Sequence, residues 1–155
     1  EPEIPSHQGP DAQSVDPELD VVTAAVKVPQ TLSHMHYWTV QLTKNASKEE
    51  VLEAFGTSTR TAFINMSDDL SANNAVKELM LDLGRPHGDM YEVAIWEDML
   101  KVEGDELYYA YLVDNQAIVI PETIDAIRAL TGTESDTQKS ITKTNHSLGI
   151  TQRFI

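Results

Sequence analysis

The stretch that decides the fold class is MLKVEGDELYYAYLV, residues 99–113. The pair Gly104-Asp105 separates two strand-like runs, and a pair of this kind is typical of a two-residue β-hairpin turn. The side chains that would share one face of the second strand are Leu107, Tyr109, Tyr111 and Val113. The stretch therefore predicts an antiparallel hairpin whose second strand is long.

The elements predicted on either side of this hairpin indicate an α+β domain. Alternation of apolar and polar residues predicts further strands at 21–28, 36–42, 61–64 and 91–96. Helical spacing predicts helices after Ser47, over 72–83, from Pro121 and after Ser135. Because hairpins dominate and regular strand–helix–strand alternation is absent, we expect a mixed, largely antiparallel sheet with helices packed on one face.

Two of the helix starts carry a capping box, in which a Ser side chain and an acid or amide three residues later cap each other's backbone N–H groups. The pairs are Ser47 with Glu50 and Ser135 with Gln138. They predict that these two helices begin at Ser47 and Ser135.

The first twenty residues contain four prolines and few apolar side chains. Such a segment builds no core of its own, so we expect a Pro-rich loop over 1–20 that enters a domain over 21–155. The chain begins with Glu1, which, together with this loop, favours a piece of a longer protein.

Composition excludes several classes of protein. The 155 residues carry 25 Asp and Glu against 11 Lys and Arg, a net charge of −14. Nucleic acid and anionic membrane surfaces are therefore disfavoured as partners, and no apolar run approaches the 18 or so residues of a membrane span. With no cysteine, the chain has no disulfide, thiolate zinc site or cysteine nucleophile. Acids dispersed along the whole chain fit a protein from a high-salt cytoplasm, or a merely acidic cytosolic protein.

The densest group of candidate catalytic side chains is His34 and His36, which point to the same side of an extended segment. One of them could be a general base or bind an anion. They could equally be a hydrogen-bonded structural pair, and a metal site is a weaker alternative because no third ligand is identifiable.

Two loops offer weaker candidates. His7 stands close to Gly9-Pro10, where the backbone can approach a phosphate, although a plain turn explains the same residues. Arg85 and His87 follow a helix end, where positive charge is favourable without any ligand.

Five segments, taken in order, resemble one family over residues 5–150. They are PSHQGPD (5–11), VPQTLSHMHYWTVQL (28–42), DLGRPHGDMYEVAIWED (82–98), PETIDAIRAL (121–130) and KTNHSLGI (143–150). Together they resemble the C-terminal catalytic domain of archaeal, type II glyceraldehyde-3-phosphate dehydrogenase. The acidic composition would indicate a haloarchaeal member.

The resemblance implies an enzyme that oxidises glyceraldehyde 3-phosphate with NADP or NAD and inorganic phosphate, in glycolysis or gluconeogenesis. Such an enzyme is a cytoplasmic homotetramer whose cofactor is held mainly by an N-terminal Rossmann domain. The family's catalytic base would be His34, and His7 would lie in its phosphate-binding loop.

The chain departs from the family pattern at several places. The nucleophilic cysteine and the cofactor domain have no counterpart here, so we expect the fragment alone to be inactive. Gln8 replaces the second histidine of the phosphate loop, and Asn115 stands where a cofactor-contacting glutamine is expected. The alternative is a stand-alone module with this fold that binds phosphate metabolites or promotes oligomerisation.

Overall fold

The computed structural model describes residues 4–29 and 33–155. The chain divides into two compact units, residues 1–31 and 32–155. Residues 1–3 of the predicted loop and residues 30–32 of the VPQTLSHMHYWTVQL segment lie outside the described residues.

The first unit contains a helix where the prolines suggested a loop. Helix α1 spans Gln8–Val15 and includes Pro10 in its first turn. A proline is tolerated there because the N–H groups of the first turn have no partner within the helix. The predicted strand at 21–28 is also wrong: within that stretch only Ala25 forms an isolated bridge, and Val22 is 82% exposed.

The second unit holds the remaining elements. Its strands are β1 (Ser33–Gln41), β2 (Thr61–Ile64), β3 (Val93–Trp96), β4 (Lys101–Glu103) and β5 (Glu106–Asp114). Its α-helices are α2 (Lys48–Gly56), α3 (Asn73–Asp82), α4 (Ile120–Thr131) and α5 (Thr137–Leu148). Short 3₁₀ turns occur at Met66–Asp68, Pro86–Gly88 and Glu97–Met99. No helix among the described residues is long and apolar enough to cross a membrane.

The strands form one mixed sheet with the order β1-β5-β3-β2, and β4 also pairs with β5. The β1–β5, β3–β5 and β4–β5 pairs are antiparallel, and only β2–β3 is parallel. The predicted β4–β5 hairpin is present, and Gly104 in its turn has a φ of +67°. The expected α+β class with a mixed, largely antiparallel sheet is confirmed.

The helices contact both faces of this sheet. On one face, Val76 and Met80 of α3 pack in the larger core cluster with Ala94, Trp96 and Leu112. On the other face, α2 contributes to a smaller cluster. The members of that cluster on α2 and on the strands include Val51, Phe55, Val40, Leu107 and Tyr109. We expected the helices on a single face, but α3 covers one face of the sheet and α2 covers the other. The amphipathic α2 packs on apolar strand residues of that second face.

The two predicted capping boxes have different outcomes. At α2, the Glu50 N–H donates to Ser47 Oγ at 3.1 Å and the Ser47 N–H donates to the Glu50 carboxylate at 2.7 Å, as expected. At α5, the cap is Asp136 instead of Ser135, and its carboxylate accepts from the Lys139 N–H at 3.1 Å. Both residue types cap well, so the sequence does not separate neighbouring candidates.

A buried ion pair fastens the C-terminal segment to the sheet. The Arg85 guanidinium donates to both carboxylate oxygens of Glu92, at 2.6 and 2.7 Å. Glu92 is fully buried. Arg85 also donates to the Gly149 carbonyl at 2.8 Å, and Glu92 accepts from the Thr151 N–H at 3.0 Å. Arg85 is therefore bound by groups of its own chain, which favours its structural interpretation over an anion site.

We expect Arg85→Met to lower the free energy of unfolding by about 3–5 kcal/mol, because the substitution leaves Glu92 buried without a counterion. Lys101→Met is the matched control, since Lys101 pairs with Glu103 on the surface and an exposed pair contributes about 0–1 kcal/mol. Urea unfolding of both variants measures the difference. Equal effects would mean that the Arg85–Glu92 pair does not stabilise the fold.

Candidate active site

The β1–β5 pairing brings two groups of sequence-predicted residues to one sheet face. His34 lies opposite Val113, His36 opposite Tyr111, and Trp38 opposite Tyr109 in a nine-residue antiparallel register. Residues opposite one another in an antiparallel ladder point to the same face. The two histidines therefore share that face with the aromatic side chains of β5.

The two histidines differ in environment. His34 is exposed, whereas His36 is partly buried and stacks on Tyr111 with 4.7 Å between the ring centroids. The His34 and His36 rings meet edge to face at 5.8 Å. Burial, with a smaller contribution from the charge of His34, lowers the pKa of His36 below its ordinary value. His36 is thus held neutral at neutral pH, and His34 is the more exposed of the two rings.

The tyrosines and tryptophan beside the histidines pack as expected from the alternating pattern. Tyr109 contacts Phe55 of α2 at 5.1 Å and lies nearly parallel to Trp38 at 6.5 Å. Burial raises the pKa of Tyr109 to about 12. These aromatic side chains lie on the same sheet face as the histidines, and Phe55 of α2 packs against Tyr109.

Asn115 lies at the same end of the sheet as His34. The register pairs Ser33 with Asp114, so Asn115 directly follows the last paired residue of β5. Asn115 is exposed, and its turn is held by the Asp114 carboxylate. Asp114 Oδ1 accepts from the Gln116 and Ala117 N–H groups at 3.0 and 3.1 Å. The amide of Asn115 is therefore exposed on a turn that the Asp114 carboxylate fixes.

A buried lysine contact completes this turn. Lys77 Nζ of α3 lies 2.5 Å from Asp114 Oδ2. Burial alone would raise the pKa of Asp114, but the hydrogen bonds from Lys77 and from the Ala117 and Gln116 N–H groups lower it below its ordinary value. Asp114 is therefore ionised at neutral pH. Sequence reasoning missed both residues, because Lys77 falls outside the apolar stripe of its helix and Asp114 ends a strand without any motif.

His7 and Gln8 belong to the first unit, where a hydrogen-bonded cluster fixes their loop. His7 is exposed and is the N-cap residue of α1, although its side chain caps no N–H. The Thr23 hydroxyl oxygen accepts from the Ser6 hydroxyl at 2.9 Å and from the Gly9 N–H at 3.1 Å. A side chain at Gly9 would meet Thr23 at 3.0 Å, so glycine is needed for this approach.

The first turn of α1 presents few free backbone donors. The Gly9 N–H donates to the Thr23 hydroxyl, the Asp11 N–H donates to the His7 carbonyl, and Pro10 has no N–H. His7 is exposed at this helix start. Gln8 carries a buried side-chain oxygen with no donor among the described residues. The structure places His34 and Asn115 in the second unit and His7 and Gln8 in the first.

One cleft of the second unit holds no sequence-predicted site residue. A cleft of about 600 Å³ lies between β2–β3 and the start of α4, lined mainly by apolar side chains. Its one arginine, Arg60, is bound to Glu122 at 2.7 Å and to Asp125 at 2.5 Å. Among the described residues, no group of three or more His, Asp or Glu side chains is arranged to hold a metal ion.

The sequence of this chain matches a known protein family. The family profile described as "Glyceraldehyde 3-phosphate dehydrogenase, C-terminal domain" matches residues 2–99. The match covers more than half of the chain and includes β1 with its two histidines. The chain belongs to this family.

Individual relatives agree with the family assignment. Glyceraldehyde-3-phosphate dehydrogenase of Methanopyrus kandleri is 42% identical over 147 residues, 95% of this chain and 42% of that protein. The enzyme of the same name from Methanobrevibacter smithii is 40% identical over 149 residues, 96% of this chain and 44% of that protein. The Pyrobaculum calidifontis protein is 45% identical over 145 residues, 94% of this chain and 42% of its own length. The chain thus spans less than half the length of these curated relatives.

The lowered pKa of His36 predicts how stability depends on pH. Between that pKa and the ordinary histidine value of about 6.5, the unfolded chain binds a proton that the folded chain does not. The contribution of His36 to the free energy of unfolding is therefore fully present above about pH 6.5 and decreases as the pH is lowered. In His36→Phe, which keeps a ring on Tyr111 but cannot titrate, we expect a shallower fall between pH 7 and 5.

Urea unfolding at several pH values measures these slopes. Thr39→Ser, on the same strand but the opposite face, is the matched control and should keep the slope of the unsubstituted chain. An identical slope in His36→Phe would show that another group causes the pH dependence.

Proposed function

We propose that this chain is the catalytic-domain portion of an archaeal-type phosphorylating glyceraldehyde-3-phosphate dehydrogenase that uses NAD or NADP. The observation that carries the proposal is the presence of an exposed histidine, His34, and an exposed amide, Asn115, at the same end of the sheet. A base and an amide donor at one place are what this oxidation needs, and the family membership of the chain supports the assignment.

In the proposed reaction, His34 is the general base. It takes the proton from a cysteine thiol, and the thiolate forms a bond to the aldehyde carbon of glyceraldehyde 3-phosphate as the C=O double bond opens. His34 returns the proton to that oxygen, which gives a neutral hydroxyl adduct. His34 then removes the hydroxyl proton of the adduct while hydride leaves the same carbon, which gives a thioester. Inorganic phosphate attacks the thioester carbon, breaks the C–S bond and releases an acyl phosphate. The chain contains no cysteine, so the thiol comes from outside these 155 residues and the chain alone is inactive.

The residues present fit a bound nicotinamide. NAD or NADP supplies the hydride acceptor when it is bound. Asn115 has both a donor and an acceptor for a carboxamide group, and its turn is fixed by Asp114. His36, stacked on Tyr111, meets the ring of His34 edge to face and so helps to position it.

The start of α1 is the proposed phosphate-binding loop. His7, exposed at the start of α1, can donate a hydrogen bond to an anion. Gln8 retains a hydrogen-bond donor but carries no charge, so it contributes orientation more than affinity.

The complete protein is proposed to be a cytoplasmic homotetramer of glycolysis or gluconeogenesis from a haloarchaeon. The net charge of −14 supports the high-salt origin, because concentrated salt screens the repulsion between acidic side chains over a few ångströms.

In the complete enzyme, we expect His34→Ala to lower kcat by about 10² to 10⁴, the usual effect of losing a general base. Steady-state oxidation of glyceraldehyde 3-phosphate measures it. His146→Ala, on the last turn of α5, is the control and should retain activity. Unchanged turnover in a folded His34→Ala protein would assign the base elsewhere, with His36 the next candidate.

Stability is expected to rise with salt. The melting temperature should increase between low salt and molar KCl, because screening removes more repulsion from the compact state than from the unfolded chain. Differential scanning calorimetry over a KCl series tests this. A melting temperature that is flat or falls would contradict the haloarchaeal assignment.

The second candidate is a binding or oligomerisation module without catalysis, which the missing cysteine favours. The intact mass of the natural protein separates the two. A mass roughly twice that of this chain, as a second domain of usual size would give, supports the dehydrogenase. A mass equal to these 155 residues supports the module.

A further inference from the structure

We propose that Lys77 is a positioning residue for the cofactor: through Asp114 it fixes the turn that presents Asn115. The inference rests on the proposed function, because it takes the cofactor contact of Asn115 from there. It adds a residue of α3, on the face of the sheet opposite the histidines, to the machinery of the site.

The contacts of Lys77 join three parts of the second unit. Its ammonium group donates to the Asp114 carboxylate at 2.5 Å and to the Gly88 carbonyl at 2.7 Å. The side chain of Asp114 is only 2% exposed and that of Lys77 is 22% exposed. Two donors of the ammonium are thus used inside the protein, where they link α3, the 3₁₀ turn at Gly88 and the end of β5.

The Asp114 carboxylate uses both of its oxygens. Oδ2 accepts from Lys77, while Oδ1 accepts from the Gln116 and Ala117 N–H groups. A buried carboxylate that loses a partner costs several kcal/mol. The turn therefore cannot shift relative to α3 without leaving either a buried charge or buried N–H groups unpaired.

The helix that carries Lys77 is itself fixed. Its neighbours Val76 and Met80 are almost completely buried in the larger core cluster. Gly88 lies so close to α3 that a side chain there would meet the Lys77 carbonyl oxygen at 3.1 Å. The Lys77 side chain is thus fixed at its backbone by the core packing of α3 and at its ammonium group by Asp114 and Gly88. It therefore links the turn after β5 to the core.

Asn115 lies between Asp114 and Gln116, the two residues that this hydrogen bonding ties together, yet it is exposed. A neutral asparagine at 114 could accept from the same two N–H groups, so capping alone does not require a charged residue there. The charge is required for the contact with Lys77. The arrangement thus fixes the turn that carries the exposed amide of Asn115.

The test is a double-mutant cycle on cofactor binding in the complete enzyme, with NADH and NADPH titrated by fluorescence. Asn115→Ala is expected to weaken the better-bound cofactor about three- to tenfold, the value of one hydrogen bond. Lys77→Met should weaken it similarly, with the KM for glyceraldehyde 3-phosphate unchanged. The double variant should be no weaker than either single variant, because Lys77 acts through Asn115.

Lys143→Met is the matched control. Lys143 of α5 forms an ion pair at 2.6 Å with Glu134, which precedes that helix, and its substitution should leave cofactor affinity unchanged. If Lys77→Met does not fold, Asp114→Asn takes its place in the cycle, because it keeps an oxygen for the turn and removes only the charge.

Different outcomes test the positioning role of Lys77 and the cofactor contact of Asn115. Additive losses, or a Lys77 variant with unaltered affinity beside a weakened Asn115→Ala, would overturn the positioning role and leave the proposed function intact. Unaltered affinity in Asn115→Ala would overturn the cofactor contact itself, and the inference with it.

Discussion

Backbone hydrogen bonds between β1 and β5 set the geometry on which the rest of the second unit depends. Their nine-residue register decides that His34 and His36 share a face with the aromatic side chains of β5. It also brings the start of one strand beside the end of the other, so that His34 and Asn115 lie at the same end of the sheet. A slip of one residue would send every one of these side chains to the other face.

Buried charge fixes the parts that the sheet does not. Glu92 binds Arg85 and the C-terminal segment, and Asp114 binds Lys77 and the turn after β5. In a chain with 25 acidic residues, these two are nearly inaccessible to water. A buried ion pair contributes little net stability compared with apolar packing, but it tolerates few alternative arrangements. Both pairs hold segments at which the chain leaves regular structure.

Much of the second unit could be predicted because its signals are local. The hairpin at Gly104-Asp105, the capping box at Ser47 and the strand at 61–64 each depend on neighbouring residues alone. Prediction failed where the outcome depends on distant partners. The alternating valines at 21–28 have a strand pattern but remain largely exposed without forming a strand. The prolines near α1 were compatible with a helix because Pro5 precedes it, Pro10 lies in its first turn and Pro17 follows its C-cap.

The sequence by itself determined the α+β class, the acidic character, the absence of a cysteine and the family resemblance, since these depend on composition, local spacing and ordered motifs. It also singled out His34, His7, Gln8 and Asn115. Only the tertiary structure decided that His36 is the stacked, neutral partner and His34 the exposed one. It alone revealed Lys77 and Asp114. Burial and ion pairing arise between residues far apart in the chain, and no local pattern records them.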